Sequence, residues 1–323
     1  MISPSIGPLR DDFETNAVYD LMIAVCGYEE RSSFIPRRLA GHYEAITVVD
    51  YQAVKLFAYD ENRDFYTTSD ARFMPADVAL LAGALSEILT QLAGQCPANL
   101  RICIDASSMD RDVLATAMAA VYGLDHAFVS VDFVYAPAGY QRGLQGSAGS
   151  ITVNRPVKGM EGWAYQPDAP LVCMLGLGFE DDLIIAAIEA LEPSETIAYA
   201  PVGLDARYDN ELKDRLRGTS IGETWDYYDV HQPLTLFREL TNTSKVLTAR
   251  GQRVVLVPVG PKIFAIVATL VGLLSNGIVS LWRVSAANAR TPEDRIASGS
   301  VTGLSYSRRR IAVSDRDNDK TAT

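Results

Sequence analysis

The sequence predicts an α/β protein built from two Rossmann-like three-layer halves with mainly parallel sheets. Three observations predict it. Short apolar runs alternate with segments of helical period. Four of those runs end in a small polar turn that feeds a helix. The same features then recur about 150 residues further on. Strands that alternate with helices indicate parallel, helix-covered sheets.

Residues 1–18 read as a polar lead-in. Leu21 to Val25 (LMIAV) is a continuous apolar run, as for a strand covered on both faces. Cys26 to Ser33 is the turn behind it, and a helix follows to Leu39. Ile46 to Val49 is the next strand. Residues 52–75 are polar with several aromatics and read as a loop or insertion. Val78, Leu81, Leu85, Ile88 and Leu92 recur by three and four, which places a helix over Pro75 to Ala93. Arg101 to Ile104 is a buried strand. It ends in Asp105-Ala106-Ser107-Ser108-Met109-Asp110-Arg111, and a helix runs from Asp112 to Tyr122. Phe128 to Tyr135 closes the first set, giving a first half over 1–150.

Residues 137–170 are rich in Gly, Pro and Ser and read as a connection, with an antiparallel excursion at Ser150 to Val153. The second half, 151–290, repeats the pattern. Leu171 to Leu175 is a strand, Gly176 to Asp182 a turn, and a helix runs to Leu191. Thr196 to Ala200 is a strand, and 204–250 reads as a second insertion. Arg253 to Val257 ends in Pro258-Val259-Gly260-Pro261-Lys262, a helix runs to Leu274, and Ile278 to Val284 is the last strand. Gly27 and Gly178 are 151 residues apart, as are Ile46 and Ile197; Asp105 and Pro258 are 153 apart, Ser130 and Ser280 150. Gly-Tyr-Glu-Glu also matches Gly-Phe-Glu-Asp. An internal duplication accounts for four features in one order at one spacing. Residues 291–323 read as a polar tail, disordered past Ile311.

Composition limits the functions. Hydrophobic residues make up 48% of the 323 and charged ones 21%, enough to bury a full core. The formal net charge is −11, which argues against binding of long nucleic acid and leaves a small nucleotide open. Cys26, Cys96, Cys103 and Cys173 form no C-x-x-C, so free thiols in a reducing compartment are expected. His42, His126 and His231 are too far apart to suggest a metal site, and neither metal nor cofactor is expected. The opening Met1-Ile2-Ser3-Pro4 is not a signal peptide, and a cytoplasmic location is expected. Ile263 to Trp282 has the length of a membrane span, but Ser275-Asn276-Gly277 interrupts it. Its counterpart, Val113 to Tyr135, carries Asp125, His126 and Asp132, so a helix, a turn and a strand are expected, and no membrane.

Ligands of open parallel sheets bind beyond the carboxyl ends of the strands, where four turns fall here. In the first, Gly27 offers backbone access and Glu29, Glu30 and Arg31 open a helix; carboxylates there also suit the helix dipole. In the second, Asp105 can accept from ribose hydroxyls or a base edge, and Ser107 and Ser108 can donate to phosphate. Arg111 can pair with phosphate, or with Asp110 or Asp112. The third has Gly178 and Glu180. In the fourth, Gly260 gives backbone access and Lys262 stands at a helix start, where a cation opposes the dipole. Tyr227, Tyr228, Asp229 and His231 form a further polar stretch that could stack on a base or serve the core.

The strand–Asp-x-Ser-Ser–helix unit, with Gly260-Pro261-Lys262 at its duplicate, resembles the ligand turns of CARF domains. These are Rossmann-like sensors of cyclic oligoadenylate that work as dimers. Asp105, Ser107 and Ser108 match one half of the family's turn, and Gly260 and Lys262 the other. The first half lacks the family's Thr-Lys, and no recognisable nuclease or other effector domain is expected after the second. The resemblance implies a built-in pseudo-dimer and a sensor or accessory role in a defence or signalling system.

Three functions follow as expectations. The first is a sensor that binds a small nucleotide-type anion between the halves. The second is a hydrolase acting on a glycosidic or phosphodiester bond at the same cleft, with Glu29, Glu30 and Asp105 as catalytic candidates. The third is a scaffold, with a homodimer or an operon-encoded protein as partner.

Overall fold

The computed structural model describes residues 2–15, 17–96, 98–141, 151–162, 166–203, 205–216, 225–286 and 292–310. The chain opens with β1 (Ile2–Pro8) and β2 (Leu21–Cys26). A 3-10 turn at Glu30–Ser33 leads into α1 (Phe34–Arg38). Then come β3 (Ile46–Asp50), α2 (Tyr59–Thr68), β4 (Arg72–Pro75), α3 (Val78–Gln95), β5 (Leu100–Asp105), α4 (Arg111–Gly123) and β6 (Phe128–Tyr135). The second set is β7 (Ile151–Pro156), β8 (Leu171–Gly176), α5 (Asp181–Leu191), β9 (Glu195–Val202), α6 (Ala206–Leu216), β10 (Asp226–Asp229), α7 (Pro233–Ala249), β11 (Arg253–Pro258), α8 (Lys262–Leu274) and β12 (Val279–Ala286). The last strand is β13 (Thr302–Arg310).

Two mostly parallel sheets result. The first runs β1-β13-β6-β5-β2-β3-β4, and the second β10-β9-β8-β11-β12-β7. Within each, the five parallel strands take one order, with the first strand (β2 or β8) beside the fourth (β5 or β11). An antiparallel neighbour adds to the fifth strand, β13 on β6 and β7 on β12. The chain leaves β2 and β5 for helices on opposite faces. That opens a crevice at their carboxyl ends, and β8 and β11 do the same.

Several elements differ from the sequence reading. Residues 52–75 carry α2 and β4, and 204–250 carry α6, β10 and α7, so each stretch supplies a third parallel strand. The polar lead-in forms β1, and the polar tail supplies β13, which pairs with both β1 and β6. Leu304, Tyr306 and Arg308 of β13 are buried, while Ser305, Ser307 and Arg309 are more open, the period of a half-buried strand. The Arg308 guanidinium donates to the Tyr122 carbonyl (2.6 Å) at the end of α4, where a cation suits the helix dipole. Residues past 310 lie outside the described residues.

One apolar cluster runs through both halves. Val113, Leu114, Ala117, Met118 and Val121 of α4 share it with Ile263, Ile266, Val267 and Leu270 of α8. α8 lies among α4, α7, β11 and β12, and every residue from Ile263 to Gly272 is buried. That position explains its lack of polar residues without a bilayer. The run Ile263 to Trp282 is indeed divided between α8 and β12. Among the described residues, α3 alone is long and apolar enough to cross a bilayer by length and composition, and its Leu81, Leu85, Ile88 and Leu89 face the core. Buried Asp112 at the start of α4 binds Arg155 of β7 (2.8 Å) and Arg283 of β12, which adds an ionic tie between the halves. Cys26, Cys103 and Cys173 are buried, and all four cysteines are free.

Candidate functional site

The turn after β2 is held from within. The Gly27 amide donates to Ser32 Oγ (3.0 Å), and the Asn62 amide donates to the Gly27 and Glu29 carbonyls (3.0 and 2.8 Å). A Cβ at Gly27 would meet nothing closer than 3.4 Å, so close approach does not require this glycine. Glu29 turns inward. Its Oε2 accepts from Arg31 Nε (2.9 Å) and from Ser108 Oγ (2.8 Å), which joins the first turn to the second. Glu30 is exposed, and its amide donates to Asp294 Oδ1 (2.8 Å). Arg31 is buried and also donates to the Ala136 carbonyl (3.2 Å). It is therefore spent on internal partners.

The turn after β5 is equally committed. Asp105 Oδ1 accepts from the Ser107 amide (2.9 Å) and hydroxyl (2.5 Å), while Ser107 Oγ accepts from the Ala136 amide (2.9 Å). Asp105 and Ser107, expected to face a ligand, instead pin the loop after β6. Burial pushes the Asp105 carboxyl up to about 6, against the opposing pull of the Ser107 donors and the Arg31 charge. The unfolded chain releases this proton near 3.8, so between those values the folded state holds more protons. The stability contributed by protonated Asp105 is complete below pH 3.8 and is lost as pH rises through about 6. Asp105→Asn should therefore flatten the fall in melting temperature between pH 4 and pH 7, by about 3 kcal/mol across the window. Melting curves of both proteins over that range check it; parallel profiles would contradict it.

Arg111 was expected on phosphate or on a neighbouring aspartate. It instead crosses to the other half, where its guanidinium donates to the Pro258 carbonyl, to Val259 O (2.6 Å) and to Gly260 O (3.4 Å). Burial lowers its pKa. Asp110 caps α4, accepting from the Asp112 and Val113 amides (2.8 and 2.9 Å), and also accepts from the Tyr51 hydroxyl (3.1 Å).

The third and fourth turns meet backbone to backbone. A Cβ on Gly178 would lie 3.0 Å from Gly260 Cα, and one on Gly260 would overlap the Leu177 carbonyl oxygen. The Gly260 amide donates to Gly176 O (3.0 Å). Glu180 precedes α5 and acts on the charge of Arg111. The four strand-end turns thus come together at one place. Ser108 joins the first and second, Arg111 the second and fourth, and the two glycines the third and fourth.

Lys262 stands at this junction as the first residue of α8 and is half-buried. Among the described residues its ammonium has no hydrogen bond and no carboxylate within ion-pair distance. The charges that act on it are Arg111 and Arg31, which repel, and Asp110 and Glu29, which attract. Both carboxylates already serve other donors. Burial first, and Arg111 second, bring Lys262 down to about 7. The helix it opens has no side-chain cap, as α1, α2, α5 and α7 have none, while Asp77 caps α3 and Asp110 caps α4; what sets α8 apart is the lysine at its first position. The first α8 amides, those of Lys262 and Ile263, find no acceptor among the described residues.

Tyr51, Asn62, Ala136, Asp294 and Arg283 also shape the site, and sequence reasoning missed them. Each reaches it from a distant element, and no local pattern marks it. The stretch Tyr227–His231 lies at β10, the edge of the second sheet. Tyr227 is exposed, Tyr228 is buried against Phe264, and Asp229 Oδ1 accepts from the His231 amide (2.8 Å). Two surface hollows of about 420 and 410 Å³ line the amino ends of the first sheet, and neither touches the four turns. Among the described residues no three His, Cys, Asp or Glu side chains are grouped to hold a metal ion. In comparison with known proteins, the chain matches no family model and no curated protein sequence.

Proposed function

We propose that the chain binds a small nucleotide-type anion at the start of α8, between its halves, and acts as a sensor or accessory protein. One observation carries this reading: an uncapped helix start that bears a lysine with no acceptor of its own. Free amides at the positive end of a helix, beside an unpaired cation, favour a phosphate or similar oxyanion. The likeness to CARF turns supports a cyclic or linear oligoadenylate as ligand and a defence or signalling setting. Binding is favoured over hydrolysis because Glu29 and Asp105, two of the three catalytic candidates, are closed by internal donors, which leaves only the exposed Glu30.

A thermal-shift panel of AMP, ADP, ATP and linear and cyclic oligoadenylates tests the reading, with product analysis of each hit. A ligand present at a hundredfold excess over its Kd adds about 2.7 kcal/mol, or about 5 °C for a chain of this size. The expected result is such a shift with the nucleotide recovered intact. No shift from any member contradicts the proposal. Conversion of the nucleotide would instead support the hydrolase, and a stable complex with a neighbour-encoded protein without any nucleotide response would support the scaffold.

A further inference from the structure

We propose that the larger hollow at the amino ends of the first sheet binds a small phosphorylated sugar, with Arg101 and a row of serine hydroxyls on its phosphate. The hollow lies away from the four turns, so this site stands independently of the one at α8.

The hollow measures about 420 Å³, inside the range of about 300–1,000 Å³ for small-molecule sites. Its floor is the face of β1, β13, β6 and β5 turned away from the apolar cluster that the halves share. The strand registers place Ser5 opposite Ser307, Ser307 opposite Ser130, and Ser130 opposite Arg101. One row across four strands thus carries three hydroxyls and a guanidinium. Sheet formation does not account for it, because strands favour β-branched and aromatic side chains. Packing does not account for Gly7, which follows Ser5 on the same face. A Cβ there would meet nothing within 4 Å. Glycine weakens a strand, and one that no neighbour requires leaves room for a ligand.

The charges of the hollow leave one cation over. Asp132 is fully used: Oδ2 accepts from Arg10 Nη2 (2.5 Å) and the Tyr19 hydroxyl (2.7 Å), and Oδ1 from the Ser305 hydroxyl (2.5 Å). Arg10 is thereby neutralised. Arg101 is anchored through its amide, which donates to Asp20 Oδ2 (2.7 Å), and its guanidinium lies over the Tyr19 ring, 5.9 Å from the centroid. Among the described residues that guanidinium has no hydrogen bond and no carboxylate within ion-pair distance, and the Ser5, Ser130 and Ser307 hydroxyls have no protein partner. A guanidinium stacked on a ring keeps its N–H edge for two parallel bonds to an oxyanion. Three hydroxyls beside it suit the three terminal oxygens of a phosphate monoester better than the two of a carboxylate. Asn99 offers its amide to sugar hydroxyls, and Phe128 an apolar surface to the C–H face of the ring. A bare oxyanion fills little of this space and meets one half-open guanidinium, so sulfate and inorganic phosphate should stay in water.

Isothermal titration of the Lys262→Met chain with ribose 5-phosphate and glucose 6-phosphate tests this site apart from the one at α8. The expected result is one-to-one binding of at least one ester, with no heat from ribose, glucose or inorganic phosphate. In the same background Arg101→Gln should weaken binding at least tenfold. Gly7→Leu fills the hollow and should abolish binding while melting no lower than its parent. No heat from either ester overturns the proposal, and so does affinity unchanged in Arg101→Gln. Inorganic phosphate that binds as tightly as the esters overturns the sugar. None of these results touches the α8 site, which the nucleotide panel tests in the wild-type chain; a failed panel likewise leaves this site standing.

Discussion

Lys262→Met is expected to melt higher than the wild-type chain at pH 6 and to lose its response to sulfate. Methionine keeps most of the unbranched side chain, one atom shorter, and removes an ammonium that the fold disfavours. The amine titrates near 10.5 in the unfolded chain and near 7 in the folded one. Between those values the unfolded chain binds more protons, so stability rises with pH across the window. Below about 7 the full cost of the ammonium is present. A depression of that size corresponds to about 5 kcal/mol, and solvent screening of a half-buried group reduces it to about 2 kcal/mol. The gain should therefore be largest at pH 6 and fade toward pH 10. Stability held below its optimum at a binding group is a common trade. Melting curves from pH 6 to pH 10, with and without sulfate, check both parts. A variant that melts lower at pH 6, or keeps the sulfate shift, contradicts the account.

Arg111→Ala should destabilise the chain by about 3 kcal/mol. The guanidinium donates to three carbonyls of the turn after β11, a turn closed further by the contact of Gly260 with Leu177. Hydrogen bonds from a charged donor contribute about 1.5–3 kcal/mol, and carbonyls left without a donor add to the loss. Because the bond crosses between the halves, the turn that carries Lys262 should lose its position too, and anion affinity should fall with stability. Arg207→Ala is the control. Its ion pair with Asp205 is local and open to solvent, and such pairs contribute little. Urea unfolding of the three proteins gives the comparison, with a lower midpoint expected for Arg111→Ala alone. Equal midpoints would show that the cross-half contact carries no stability.

The central strands were legible because burial on both faces leaves a plain mark. LMIAV, ICI, LVCML and VVLV are continuous apolar runs, and each stops at a polar turn. Their recurrence at one offset pointed to two like sheets, and the shared strand order agrees with that. The edges were not legible. β4 and β10 have four residues each, too few for a period to show. β13 alternates cleanly, but its arginines read as a tail, and its partners β1 and β6 lie far away in sequence.

The same limit applied to the site. Residue types located the four turns, and the fold brings them together. Which groups remain open depends on partners from elsewhere. Arg111 finds carbonyls 147 to 149 residues away. Ser107 closes on Ala136, and Glu29 on Ser108, 79 positions on. Subtracting the committed groups leaves Lys262, whose opposition to the helix dipole was already visible in Gly260-Pro261-Lys262.

A crystal soaked in selenate tests the central claim most directly, because selenium locates an oxyanion by its anomalous scattering. The account predicts a peak within hydrogen-bonding reach of the Lys262 and Ile263 amides and of Lys262 Nζ, absent from Lys262→Met. Anomalous density elsewhere on the chain with none at the start of α8, or an unchanged peak in the variant, would contradict it.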